Sequence, residues 1–324
     1  MAEKKMLGAS LYVPATHKNL QHIARGELLG EARSLIFCTE DAVAERELSD
    51  ALLNLSLALQ QLRPLSAQPR SERFVRVRSP EVLQHVIAMP GAERLTGFVL
   101  PKATRHNFQA YFEHIRQARQ TRQIHYWLMP TLETIEVFDD TEMQRFRQCL
   151  EQPGVREHIL ALRIGGNDLL ALLGIRRPRS LTIYHTPLGL VISRLATTFV
   201  PHGFGLTAPV FEHLGQPTLL AQEIEEDIAH GLIGKTAIHP RQIALIEQHY
   251  RVHCNDMEAA LRIMDHASPA VFKMHDSMCE VATHRAWAQG VVEQARIFGL
   301  RQPASAALDG GADSDLGMNS PERT

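Results

Sequence analysis

FVRVRSPEVLQHVIAMPGAERLTGFVL, residues 74–100, sets the rhythm of the whole chain. A short β-branched run, FVRV (74–77), leads through a longer amphipathic stretch to a second short apolar run, GFVL (97–100). Short apolar runs joined by longer stretches of helical periodicity are the pattern of parallel strands linked by helical crossovers. The same alternation extends in both directions. ASLYV (9–13) and SLIFC (34–38) precede the stretch, and HYWLM (125–129), ILALRI (159–164), GFGLT (203–207) and KTAI (235–238) follow it. The strand starts are roughly 20 to 45 residues apart, enough for one helix and two loops each. Eight such units predict an α/β chain folded as a closed (β/α)₈ barrel, the TIM-barrel architecture.

The bulk properties suit that reading. The 324 residues are 44% hydrophobic and 22% charged, an ordinary composition for a chain with a full core. A barrel typically uses about 250 residues. The expected organisation is therefore a barrel domain over 1–250, a C-terminal helical extension over 251–301, and a disordered tail over 302–324. The tail is rich in Ala, Ser, Asp, Gly and Pro, which bury little. With 34 basic and 36 acidic residues the net charge is −2, and no block of like charge makes a footprint for nucleic acid or a membrane surface. Cys38, Cys149, Cys254 and Cys279 form no C-x-x-C pair, against a zinc ribbon or a disulfide scaffold. The N-terminus lacks the apolar stretch of a signal peptide, and no run approaches the roughly 18 apolar residues of a membrane helix. A reducing cytoplasm is the expected location.

Polar residues recur just after the apolar runs end: Glu40 and Asp41, Arg76 and Arg78, Lys102, Glu133, Asp168 and His239. In a barrel these positions converge, because the strand C-termini and following loops carry the chemistry. Any one of them is equally well a loop residue or a helix cap, but successive hits weaken that explanation. Glu133 and Asp168 lie about one βα unit apart and would project from neighbouring strands. Two carboxylates so placed suit Mg²⁺, which takes one or two protein carboxylates and fills its remaining positions with water and substrate oxygens. The alternative is ion pairing with Arg163 or Arg76. Gly165 and Gly166, just before Asp168, allow the backbone to approach a ligand closely.

Arg76 interrupts an apolar run, and an inward guanidinium there needs an anionic partner such as a substrate carboxylate or an enolate. On the outer strand face it would need none. Lys102 reads either as a ligand for substrate charge or as a helix-start lysine. Gly231-Leu-Ile-Gly234-Lys235-Thr236 is too tightly spaced for a phosphate loop, and Pro240 is expected to block the helix that such a loop needs. His249 and His253, four apart with Cys254 following, lack the H-E-x-x-H pattern and read as exposed helix histidines. There is no G-x-G-x-x-G motif.

Taken in order, FCTEDAV (37–43), FVRVR (74–78), GFVLPKA (97–103), MPTLET (129–134), LRIGGNDLL (162–170) and GLIGKTAIHPRQI (231–243) resemble the citrate lyase β-subunit and HpcH/HpaI aldolase superfamily. The resemblance runs from Leu11 to Tyr250, with a weaker match in VFKMHD (271–276), and GKTAIHPRQI is its most specific motif. Within the superfamily the chain also resembles a branch linked to stress-response (tellurite-resistance) gene clusters.

The resemblance implies a Mg²⁺-dependent lyase that cleaves a β-hydroxy acid or its acyl-thioester, a coenzyme A thioester among them. It would release a small keto acid of the oxaloacetate or glyoxylate type, or run the reverse condensation. Glu133 and Asp168 would hold the metal, and Arg76 would bind substrate and stabilise an enolate. Glu40 and Asp41 would order the metal's waters, while Arg78, Lys102 and Gly166 would complete the substrate shell. Asp276 would act in proton transfer at a neighbouring subunit's site, the extension serving as a lid, which implies a homo-oligomer and in this family a trimer. A thioester-independent 2-keto acid aldolase, or a non-catalytic partner or scaffold subunit with a decayed site, are the rival expectations. Three departures stand out: Cys38 replaces the family's first aspartate, Arg78 replaces an asparagine, and PATH (14–17) replaces Pro-Gly. An added arginine suits a substrate of greater anionic charge.

Overall fold

The computed structural model describes residues 7–63 and 71–301 and divides the chain into two units, one ending at Tyr250 and the other beginning at Arg251. The tail expected at 302–324 lies outside the described residues. In the first unit eight parallel strands run β1 (Gly8–Pro14), β2 (Ser34–Cys38), β3 (Glu72–Arg76), β4 (Gly97–Leu100), β5 (Trp127–Leu132), β6 (Leu162–Ile164), β7 (Leu206–Thr207) and β8 (Gly234–Ala237). Their spatial order is β7-β6-β5-β4-β3-β2-β1-β8. The ring closes where the amide of Ala208 donates to the carbonyl of Gly234 at 2.7 Å and that of Ile233 to Leu206 at 2.8 Å. This is the predicted barrel.

Nine α-helices follow in turn among the described residues of this unit: α1 (Leu20–Ala24), α2 (Leu48–Gln60), α3 (Pro80–Ala88), α4 (Phe108–Arg122), α5 (Asp140–Leu150), α6 (Gly166–Leu172), α7 (Pro187–Phe199), α8 (Pro217–Ala229) and α9 (Arg241–His249). Their starts are written in the sequence. Ser79 accepts from the amide of Val82 and precedes Pro80, Asp139 accepts from Thr141 and Glu142, and Thr186 accepts from Leu188 and precedes Pro187. Each cap satisfies an amide that the first helical turn would leave without a partner, and proline, having no amide, fits the first position. The same reasoning corrects the expectation at Pro240. It does not block a helix but stands just before α9.

Strand pleating builds the interior in layers. Ile36, Phe74, Val99, Met129 and Ala161 pack together inside the ring with Leu7 and Ile233. Side chains two apart share a face, so the next inward positions are Cys38, Arg76, Thr131 and Arg163, all of which line a cavity above the apolar floor. Six of the eight strands differ from expectation by one to three residues at an end, and two of these shifts have a local cause. β5 continues through Pro130 to Leu132 rather than stopping at Met129, although proline has no amide for the ladder, and so delivers Glu133 just past the strand end. β7 shrinks to two residues, because Gly203 takes a left-handed turn (φ 78°) that delays the strand.

The second unit pairs β9 (Val252–His253) with β12 (Leu300–Arg301), and contains α10 (Cys254–Met264), a hairpin of β10 (Val271–Met274) and β11 (Ser277–Glu280), and α11 (Val281–Phe298). Ala260, Ile263, Cys279 and Ala288 form its core. His249 and His253 do not share a helix: the first is in α9 and the second in β9. No helix among the described residues is long and apolar enough to cross a membrane.

Candidate active site

The cavity at the C-terminal mouth of the barrel has a volume of about 270 Å³. Tyr12, Arg76, Thr131, Glu133, Arg163 and Asp168 are among the residues that line it. Every strand-end carboxylate of the sequence reading is at this mouth, and cations from β3 and from the loop after β4 hold Glu40, Asp41 and Glu133.

Arg76 follows Phe74 by two on the inner face, which settles the inward orientation. Its Nη2 lies 2.8 Å from Glu40 Oε2, 3.0 Å from Asp41 Oδ2 and 3.2 Å from Glu133 Oε1. Burial alone would weaken its hold on the proton, but the acidic groups of Tyr12, Glu133 and Glu40 keep its pKa above the ordinary value. Its Nε–H is buried without a partner. Lys102 contributes twice: its amide donates to Glu133 Oε1 at 2.7 Å, and its ammonium to Glu40 Oε1 at 2.8 Å with Asp41 Oδ1 at 3.5 Å. The hydrogen bond to Glu40 raises the Lys102 pKa. Lys102 does so from a left-handed backbone (φ 48°), a conformation that costs a non-glycine residue about 1–3 kcal/mol and clusters at functional sites.

Glu133 is buried, and burial pushes its carboxyl up to about 7 against the opposing pull of Arg76 and the Lys102 amide. Asp168 and Glu40 add to the rise. Glu40 is likewise raised by burial. At Asp41 burial works the same way, yet the hydrogen bond with Glu40 and the charges of Arg76 and Lys102 hold it below the usual carboxylate range. Gly165 makes the approach possible, since a Cβ there would overlap Oε2 and Cβ of Glu133. A Cβ on Gly166, which also lines the cavity, would fall 2.7 Å from Pro209 Cβ. Asp168, half-buried in the first turn of α6, faces the same space.

The donor set fits magnesium. Among the described residues at this mouth the four carboxylates of Glu40, Asp41, Glu133 and Asp168 outnumber the three cations Arg76, Lys102 and Arg163, and hard oxygens in excess are what the ion requires. Among the described residues no group of three or more His, Cys, Asp or Glu forms a complete protein cage. A two-carboxylate seat completed by water and substrate is the arrangement typical of Mg²⁺.

A family model described as carbon–carbon bond lyase of the TIM-barrel fold matches residues 1–300. The chain belongs to this family. No curated protein matches it. The lyase shares its fold with the CitE protein of Mycobacterium tuberculosis solved with magnesium, acetoacetate and coenzyme A, at 19% identity and TM-score 0.64, over 90% of this chain and 99% of that one. A citrate lyase β subunit from M. tuberculosis complexed with oxaloacetate and magnesium aligns at 20% identity and TM-score 0.55, over 78% of the lyase and 100% of the neighbour. Haloferax volcanii malate synthase in a magnesium–glyoxylate complex aligns at 14% and 0.62, over 74% and 73%.

Other expected residues have different places. Arg78 of the lyase does not line the cavity. Its Nε donates to the carbonyl of Thr39 at 3.2 Å and its Nη2 to that of Glu40 at 3.2 Å and to that of Val43, so it braces the loop that carries Glu40 and Asp41. His239 accepts from the amide of Arg241 and serves the start of α9. Lys235 of the rejected phosphate loop is fully buried between Glu223 and Asp227. Asp276 belongs to the second unit, in the two-residue turn of the β10–β11 hairpin, where His275 and Asp276 both have positive φ (46° and 60°). Its side chain is 96% exposed and its carboxylate lies 2.9 Å from Lys273. Sequence reasoning missed Tyr12, Thr131 and Thr236 as cavity residues and gave Arg163 no role of its own. Arg163 carried the same signal as Arg76, an arginine inside an apolar run.

Proposed function

We propose that this lyase breaks or forms the carbon–carbon bond of a β-hydroxy acid, free or as an acyl-thioester, by way of an enolate. One observation carries the reading: a buried guanidinium, Arg76, lies 3.2 Å from Glu133 in a cavity that Glu133 shares with Asp168. Cleavage turns the O–H electrons of the hydroxyl into a new carbonyl and leaves the electrons of the broken bond on the departing fragment as an enolate. Fixed positive charge where that enolate forms lowers the barrier, because it needs no reorganisation at the moment of reaction. Arg76 supplies this charge and cannot lose it. A Mg²⁺ ion seated on Glu133 and Asp168 would orient the carbonyl and carboxylate oxygens of the keto-acid fragment. Glu40 and Asp41 hold Arg76 and would order the waters of such an ion.

Asp276, at a strained and exposed hairpin tip, is read as the proton-transfer group supplied to a neighbouring subunit in a homo-oligomer, with a trimer as the expected size. The thioester question is one of substrate and is answered by comparing free hydroxy acids with their coenzyme A thioesters.

Calorimetry with Mg²⁺ and pyruvate, glyoxylate or oxaloacetate tests the reading. Wild-type protein binds the keto acid only with the metal, and Glu133→Ala/Asp168→Ala protein loses that binding. Equal, metal-independent binding by both proteins would refute the proposal and favour a subunit without turnover.

A further inference from the structure

Arg76 presents two kinds of donor at the mouth. Its Nη2 meets Glu40, Asp41 and Glu133, whereas its Nε–H is buried and has no partner. Buried donors in folded proteins are nearly always satisfied, so one left over beside a cavity marks a place for a ligand atom. A second donor opens on the same cavity. Tyr12, from β1, rests its ring against the apolar floor and lines the cavity, and its hydroxyl makes no hydrogen bond to a described residue. A phenylalanine ring would cover the floor as well, so the hydroxyl is the part of Tyr12 that packing does not explain. Two cations lie against that one ring, the guanidinium carbon of Arg76 at 5.8 Å from its centre and that of Arg163 at 5.4 Å. Burial holds the phenol above its ordinary pKa against the pull of both arginines, so it keeps a proton to donate.

We infer that Tyr12 is a further catalytic residue of the lyase: its phenolic O–H and the Nε–H of Arg76 together receive the oxygen on which the enolate charge collects. The inference rests on the function proposed above and adds a residue to that site. When the carbon–carbon bond breaks, its electron pair passes to the departing fragment and spreads onto this oxygen. No proton is transferred at Tyr12, because the phenol shares its hydrogen without releasing it. Such a donor strengthens as charge develops on its acceptor, and one already in place costs no reorganisation during the reaction. Arg163 fits the same assignment. It is 2% exposed, its Nη2 donates to Thr236 Oγ1 at 2.6 Å, and no carboxylate lies within ion-pair distance of it among the described residues. A guanidinium withdrawn from water without a counter-ion carries an uncompensated desolvation cost of several kcal/mol. Its unneutralised charge beside the Tyr12 ring polarises the O–H and makes the phenol a stronger donor.

The nitronate of nitroethane, a planar anion shaped like a small enolate, tests the assignment when titrated promptly into wild-type, Tyr12→Phe and Arg163→Met proteins with Mg²⁺. Tyr12→Phe keeps the ring and deletes one oxygen. It is expected to bind the nitronate about tenfold or more weakly than wild type, as the loss of a hydrogen bond to a charged group provides. Arg163→Met shows a smaller loss in the same direction. Binding of glyoxylate with Mg²⁺ is the control and stays at the wild-type level in Tyr12→Phe. Equal nitronate affinity in wild type and Tyr12→Phe, or no binding by wild type, overturns the inference, as does a parallel loss of glyoxylate binding in Tyr12→Phe. Metal-dependent glyoxylate binding by wild type leaves the proposed function standing in each case. Thermal melting without ligand or metal is a separate arm. A hydroxyl that bonds to no protein group adds nothing to folding, so Tyr12→Phe melts at the wild-type temperature or above. A fall of several degrees would make the hydroxyl a structural group and overturn the inference.

Discussion

The barrel carries two clusters of buried charge, and they are built to opposite plans. In the first, Lys235 Nζ takes Glu223 Oε1 at 2.9 Å and Asp227 Oδ2 at 2.8 Å, Arg177 and the amide of Ile183 share Glu223 Oε2, and the Tyr184 hydroxyl takes Asp227 Oδ1 at 2.7 Å. Lys235, Glu223 and Arg177 have fully buried side chains, and the network ties β8 to α8 and to the segment before α7. In the second, around Arg76, the cluster borders an open cavity. The Arg76 Nε–H and the Thr131 hydroxyl are left without partners, and Arg163 nearby has no carboxylate. Every charge of the first cluster meets an opposite charge, although the Arg177 Nε–H is left without a partner there too. What sets the second apart is that it borders an open cavity, and this distinguishes a device for holding elements together from one for handling a ligand.

The largest effect expected from that contrast is at Lys235. Replacing it by methionine strands Glu223 and Asp227 in the interior, and losing one partner of a buried pair costs about 3–5 kcal/mol. Urea unfolding reads this as a lower midpoint, and a Lys235→Met protein of wild-type stability would make the closed cluster something other than a structural tie. Arg76→Lys comes next. It keeps one charge but cannot meet three carboxylates with a fixed fork, so kcat/KM is expected to fall about 10²–10³-fold, the usual result of removing one transition-state donor. A loss of stability as large as that at Lys235, with turnover little changed, would erase the distinction between the clusters.

Acidity sharpens it further. Burial holds Glu133 protonated up to about pH 7, and a carboxylate must lose its proton before it can bind a metal. Below that pH the ion must displace a proton, so Mg²⁺ affinity is expected to fall by up to about tenfold per pH unit and to level off above it. The closed cluster offers a counterpart of opposite sign at Glu223, whose pKa its cations lower despite burial. Its contribution to stability is present above its unfolded pKa and is lost only as the pH falls through the lower folded value. Calorimetric Mg²⁺ titrations at pH 5.5, 6.5 and 7.5 that show no slope would rule out Glu133 as a proton-competing ligand.

The barrel was legible because each strand announces itself by a short apolar or β-branched run, and Glu133, Asp168 and Arg76 because they stand at or just past strand ends. Other features follow from three-dimensional relations that no local pattern carries. Lys102 adopts a left-handed backbone without being glycine, since the Glu133 carboxylate rewards the position of its amide. Lys235 reads locally as a strand lysine beside glycines, and only the packing of α8 against β8 shows that it is enclosed. Arg78 looked like added charge for a substrate, yet three backbone carbonyls lay within its reach. Arg163 was open to the argument applied to Arg76, and its lack of a carboxylate emerged only from the surroundings of the folded side chain.

The alternation that sets an apolar floor beneath a polar mouth, two residues apart on the same strands, also governs how the gene can change. Phe74 and Arg76, or Met129 and Thr131, share one reading of the pleat, and a slip by a single residue turns both to the opposite face. Insertion or deletion of one codon within these strands would therefore spoil folding together with chemistry, and such lesions are removed before a misaligned but folded enzyme can be inherited. Length variation is tolerated better in the connecting loops, while the strand positions that line the mouth can change by substitution alone.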